Sequence, residues 1–279
     1  MDTKPNNPLS KHFRKPVMHI RLPSDGKFWA ENSLDLPVTG EIPVYPMTAG
    51  DEITLKTPDA LLNGAGVVSV IQSCCPSIVD AWKMPSIDVD TVLIAIRMAS
   101  YGNAMTISTK CPSCGENHEY NVDLSGLISK VKSPDYSQPV EFEDLKIYTK
   151  PQIYFSVTAS NLVQYEEQRI LQTINSTNED EDVRNAKLAA SMKKLLALAN
   201  ELLVNSTDYI ELSDGTRVSD REHIKEFYAN ADGRVTKLLE TRLSEMAKEG
   251  ALPLTKLSCT GCKNEYETPL EFDYSTFFA

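Results

Sequence analysis

No stretch of this sequence approaches the ~18 consecutive apolar residues that a membrane-spanning helix needs, which excludes such a span. The opening residues, MDTKPNNPLSKHFRKP, lack the apolar core of a secretory signal. Residues 1–16 are therefore expected to form a flexible arm, and the protein to stay in the cytoplasm of the cell that makes it. Positive charge is scarce too: 28 Lys and Arg face 39 Asp and Glu, a net charge of −11. Phosphate binding is driven by clustered Lys and Arg, so this balance argues against an extended nucleic-acid interface. It suits docking on other proteins, or solubility by self-repulsion.

Catalytic signatures are also missing. The four histidines, at positions 12, 19, 118 and 223, are far apart in sequence. There is no G-x-S-x-G elbow, H-E-x-x-H pair, Walker loop or G-x-G-x-x-G turn. Adjacent carboxylates such as Asp51 and Glu52 are more often surface charge than acid–base machinery. The expectation is a protein that is not an enzyme. Six cysteines in 279 residues do not make a disulfide scaffold, and their spacing matters more than their number.

What is present is the composition of an ordinary soluble protein, 41% hydrophobic and 24% charged, long enough for one large domain or two smaller ones. MHIRLPSDGKFWAE reads as a short strand followed by a turn at Ser24-Asp25-Gly26, and EIPVYPMTAGDEITLKT as another strand bounded by Pro and Gly. In TPDALLNG, Thr57 is placed to cap a helix with Pro58 at its first position. GVVSVIQSCC is apolar enough for a buried helix ended by Pro76, with Cys74 and Cys75 as small buried hydrophobes. SIDVDTVLIAIRMASYG predicts a core helix, capped by Ser86 or Asp88 and closed by a left-handed Gly102.

Past a break at KSPDYSQP, the stretch from about Gln152 to Gly250 reads as mostly helical. Leu188, Met192, Leu195, Leu196, Ala199, Leu202 and Leu203 form a helical apolar stripe, and Val235, Leu238, Leu239 and Met246 form another. STNEDEDVR suits a solvated helix start, because its carboxylates complement the helix dipole. YIELSDGTRVS is a hairpin signal around Asp-Gly.

The chemistry lies in an internal likeness. TISTKCPSCGENHEYNVDL and PLTKLSCTGCKNEYETPLEF each run from a short strand through Cys-x-x-Cys and a polar turn into an alternating strand, and each holds a Glu-Tyr step. That is the pattern of a zinc knuckle. Zn2+ takes four soft ligands in a tetrahedron, and one pair supplies half of them. Cys111, Cys114, Cys259 and Cys262 are thus expected to close one structural zinc site across 144 intervening residues. The spacing is unusual, but closure entropy rises only logarithmically with loop length and the intervening stretch looks able to fold by itself. Independent thiols, a redox pair, or His118 in place of one cysteine are the other readings of these residues. A ribbon that binds nucleic acid is a further alternative, opposed by local charge. Residues 105–125 hold one Lys against three acidic residues and residues 255–274 two against four, a net of −2 each.

Together these readings predict an α+β protein. A discontinuous strand–helix domain, residues 17–133 plus 251–279, carries the split zinc ribbon, and a mainly helical insert spans 134–250. At the end of the chain, Tyr274, Phe277 and Phe278 either fold back over the core or anchor in a partner's groove; the first is favoured, because buried aromatics usually close a core.

The order of landmarks RLPSDGKFW, VYPMTAGDE, NGAGVVSVIQSCC, DVDTVLIAIRMASYGNAM and CPSCG resembles the baseplate hub and hub-assembly proteins of T4-like contractile-tailed bacteriophages. The similarity covers about residues 17–125, and the knuckle and aromatic tail at 259–278 rejoin it. The resemblance implies a viral protein that helps build the tail baseplate near its hub, as a chaperone that leaves or a component that stays in the virion. Its partners would be other baseplate or hub proteins, met first in the host cytoplasm.

Overall fold

The computed structural model describes residues 7–57, 64–176, 180–269 and 277–278, with side chains of 175 and 176 excepted. The helix expected at residues 57–63 lies outside the described residues beyond Thr57, and so does Tyr274.

The amino-terminal part is built on a hairpin and two buried helices. Strand β1 (Met18–Arg21) pairs antiparallel with β2 (Glu41–Val44), bringing Ile20 opposite Ile42. Alternation sends Ile20, Ile42 and Val44 inward. Beyond β2 the expected strand stops short, and residues Ala49–Leu55 form helix α1. The cause is a capping box: Thr48 accepts from the N–H of Asp51, and the Asp51 carboxylate accepts from the N–H of Thr48. Two orphan donors satisfied at once outweigh the strand preference of Ile53 and Thr54. Arg14 docks beside this box, donating to the carbonyls of Pro46 (2.8 Å) and Ser73 (2.7 Å) and pairing with Asp51 at 3.3 Å.

Helix α2 (Ala65–Cys74) begins at Gly64, whose φ of 76° favours glycine and where a Cβ would lie 2.9 Å from Thr158. Cys74 and Cys75 are both fully buried, as expected. Helix α3 (Ser86–Tyr101) is the centre of the first core: every residue from Val92 to Ile96 is 0% exposed. Its ends differ from expectation. Gly102 closes it at φ 86°, ψ 179°, a glycine-only region distinct from the left-handed helix. Neither Ser86 nor Asp88 caps it, and Pro85 holds the cap position.

Asp88 instead anchors a loop 64 residues away in sequence. Its buried carboxylate accepts from the N–H and Oγ of Ser24 (2.8 and 2.6 Å) and from Trp29 Nε1 (2.9 Å). Burial pushes this carboxyl up to about 6 from 3.8, and the Ser24 and Trp29 hydrogen bonds offset only part of that shift. A folded-state pKa above the unfolded one gives stability that is full below about pH 4 and lost as pH rises through about 6. Asp88→Asn removes this dependence. Urea unfolding of both proteins from pH 4 to 7 should show the variant gaining about 3 kcal/mol on the wild type across that interval. A constant difference between them would mean that Asp88 ionises in the fold as it does in water.

After α3 come β3 (Ala104–Lys110), β4 (Asn117–Asp123) and the short helix α4 (Ser125–Ile128). A second hydrophobic cluster then forms on a four-stranded antiparallel sheet of β5 (Val140–Phe142), β6 (Leu145–Thr149), β7 (Thr207–Glu211) and β8 (Arg217–Val218), in that order. The β7–β8 hairpin is the one expected from Asp-Gly. The β5–β6 pair is an addition, turning at Glu143 with φ 54° and no glycine. Helices α7 (Arg221–Asn230) and α8 (Gly233–Gly250) cover the sheet through Ile224, Tyr228, Val235 and Leu239.

Helices α5 (Tyr154–Ser176) and α6 (Glu181–Ser206) form an antiparallel pair. Asp180 caps α6 and acidic residues fill its first turn, as the sequence predicts. The α6 stripe, however, is mostly uncovered: Leu188, Met192 and Leu196 are 42%, 50% and 65% exposed. The seam between the two helices is largely polar, with Glu167 buried and accepting from Ser191 (2.6 Å) and Lys194 (2.8 Å). The start of α5 is tied to the first core, since the Tyr154 N–H donates to the Met84 carbonyl (2.8 Å) and its ring stacks on Trp82.

Candidate metal centre

The two Cys-x-x-Cys pairs sit in the loops of two hairpins, β3–β4 and β9 (Thr255–Ser258) with β10 (Glu265–Thr268). Backbone geometry repeats between them with an offset of 148 residues. The Cys111 N–H donates to the Glu116 carbonyl and the Cys259 N–H to that of Asn264; the Gly115 N–H donates to the Cys111 carbonyl and the Lys263 N–H to that of Cys259. Gly115 and Lys263 occupy the same turn position at φ 76° and 63°. A lysine there tolerates the conformation that the first loop gives to glycine, which hides the equivalence in sequence.

Both hairpins are separate two-stranded sheets, and their loops meet through the cysteines. The sulfurs of Cys111 and Cys262 lie 3.7 Å apart, and those of Cys114 and Cys259 also 3.7 Å. All four sulfurs fall within 4.8 Å of one another. A tetrahedron with Zn–S bonds of ~2.3 Å has edges of ~3.8 Å, so these separations fit one ion enclosed by four thiolates. They exceed the ~2.05 Å of a disulfide, and all four cysteines are free. Cys111 and Cys259 are buried, while Cys114 and Cys262 face solvent.

Electrostatics prepare one sulfur ahead of the others. The Cys262 N–H points at Cys259 Sγ (3.4 Å) and is the main reason that this thiol is held down at about 6. For Cys114 the Glu116 N–H acts in the same sense, but local desolvation within the cluster and the hydrogen bonds with the other three sulfurs outweigh it and push that thiol up to about 12. A metal arriving at the Cys259 thiolate would displace the protons retained by the cluster.

His118 stands beside the centre and braces it. Its Nδ1 lies 2.9 Å from Thr260 Oγ1 in the opposite loop, and its Nε2 3.7 Å from Glu116 Oε2. Gly261 packs against these groups, and a Cβ there would meet Glu116 Oε2 at 3.1 Å. Tyr120 and Tyr266 meet edge to face lower in the hairpins, ring centroids 6.5 Å apart. The two Glu-Tyr steps are thus neighbours in space but not equivalents: counted from the first cysteine of each pair, they are two residues out of register. Two residues is one strand period, so both tyrosines still face the same way.

The fold and site define an α+β protein whose two hairpins, distant in sequence, meet at a cluster of four cysteines. The chain belongs to the family described as T4 bacteriophage base plate protein, whose model matches residues 19–279. The match spans the central segment from 126 to 258, which the landmark resemblance did not reach. No curated protein and no solved structure matches the chain. Among the described residues, no helix is long and apolar enough to cross a membrane.

Proposed function

We propose that this baseplate protein is a non-catalytic structural or assembly component of the hub region, stapled by one zinc ion on Cys111, Cys114, Cys259 and Cys262. It acts through contacts with other baseplate proteins, formed in the host cytoplasm, either as a component that takes its place at the virion tail or as a chaperone that leaves. The family match over nearly the whole chain is the observation that carries this reading. The staple is supported by sulfur separations that suit Zn2+ and by the softness of a four-thiolate set. In this reading residues 17–133 and 251–279 make one unit and 134–250 an inserted one, which accords with two distinct hydrophobic clusters.

The test is a phage lacking this chain. Negative-stain counts should show heads without functional tails, and mass spectrometry of purified wild-type particles decides whether the chain stays or leaves. Normal numbers of complete baseplates in its absence would overturn the proposal. So would tight DNA or RNA binding that weakens steeply with salt, which is the signature of a nucleic-acid adaptor.

A further inference from the structure

Between α3 and α8 lies a cavity of about 470 Å³, at the junction of the two hydrophobic clusters. Val131, Pro134, Leu243, Met246 and Leu252 give it apolar walls, and Asp90 contributes a carboxylate. Of the other polar groups on its lining, Gln152 donates to Ser206 Oγ (3.0 Å), Lys150 pairs with Asp208 (3.6 Å), and Tyr136 and Ser86 contribute neutral hydroxyls. Asp90 has no hydrogen bond or ion pair with any described residue, and burial raises its pKa above the usual value. This contrasts with Asp88, two residues earlier, whose carboxylate is fully occupied by Ser24 and Trp29. Asp90 is half-buried, so its carboxylate is less well hydrated than one at the open surface, and a cation entering the cavity offsets that loss by pairing with it.

We propose that this cavity is a socket for one Lys or Arg side chain of another baseplate protein, with Asp90 as the anion that receives it. The apolar walls suit an aliphatic stem and the single carboxylate suits a cationic head, which together describe these two side chains. The volume falls within the range of small-ligand sites, and an acidic chain favours a basic partner. The owner of the side chain rests on the proposed assembly role; the cation specificity of the cavity does not.

The full-length, metal-loaded protein is titrated with n-butylguanidinium and n-butylammonium chloride, and with uncharged n-pentanol, while amide shifts are followed by NMR. Saturable shifts are expected at residues 86–90 and 243–252 for the cations. Asp90→Asn, which keeps the shape and removes the charge, should weaken cation binding by about tenfold or more and leave pentanol unaffected. The proposal is overturned if the cations bind both proteins equally, if pentanol matches them on the wild type, or if no saturable shift appears. Any of these outcomes leaves the family assignment and the phage deletion test untouched.

Discussion

Cys259→Ser is expected to release the metal, detach the two knuckles and expose both hairpins, while α2 and α3 stay folded. Isolated two-stranded hairpins are marginal in water, and among the described residues neither β3–β4 nor β9–β10 belongs to a larger sheet. Besides the sulfurs, the bonds across the joint include the His118–Thr260 contact and the 3.4 Å approach of the Tyr120 and Tyr266 hydroxyls. Structural zinc contributes about 10–16 kcal/mol of binding free energy in finger-sized peptides, so its loss outweighs those contacts. Elemental analysis should give about one zinc per wild-type chain and almost none for the variant. Hydrogen exchange should rise to open-chain rates at residues 104–123 and 255–268, and melting should fall by roughly 10 °C. Cys75→Ala is the control: its thiol is buried beside α2, so metal content should be unchanged. If Cys259→Ser keeps its metal and its melting curve, the four-cysteine zinc site is wrong.

The sulfur cluster was readable from sequence because Cys-x-x-Cys spacing is tied to the geometry of one turn, and the same turn occurs twice. Its finer symmetry was not readable, since Lys263 holds a position where the first loop uses Gly115, and the Glu-Tyr steps are offset by two. Buried helices were legible where apolar residues run without interruption, as in Val92–Ile96. Helix α1 reads as strand in sequence because Ile53 and Thr54 favour strands one by one, whereas Thr48 and Asp51 act together through a cap. Strands β5 and β6 carry no hairpin signal in sequence, because the turn at Glu143 has no glycine. Periodicity places α6 as a helix, but it cannot say what covers a face: at the seam with α5, Glu167 and Ser191 are buried while Leu188 and Leu196 stay exposed. Asp88 shows the same limit: its partners Ser24 and Trp29 are local to each other and distant from it.

Phe277→Ala is expected to cost about 3–5 kcal/mol, the usual effect of emptying a buried aromatic site. The side chain is 1% exposed and packs edge to face on Phe278, itself 5% exposed, with ring centroids 4.8 Å apart. Both belong to the first hydrophobic cluster, so these terminal aromatics close the chain's own core; of the two roles open to them from sequence, the lid is realised. Arg97 adds a specific contact. Its guanidinium lies 5.7 Å from the Phe277 ring centroid and 5.2 Å from that of Tyr101, and burial lowers its pKa. Phe277→Leu separates packing from this cation–π contact: it keeps most of the apolar volume and loses the ring face. Its cost should be about 2 kcal/mol smaller than that of alanine, and most of the remainder should disappear in an Arg97→Met background, where no cation needs the ring. Urea unfolding of the five proteins (wild type, Phe277→Ala, Phe277→Leu, Arg97→Met and Phe277→Leu with Arg97→Met) measures these differences. Were Phe277 a hook for a partner, alanine would change the stability by less than about 0.5 kcal/mol, as surface substitutions do.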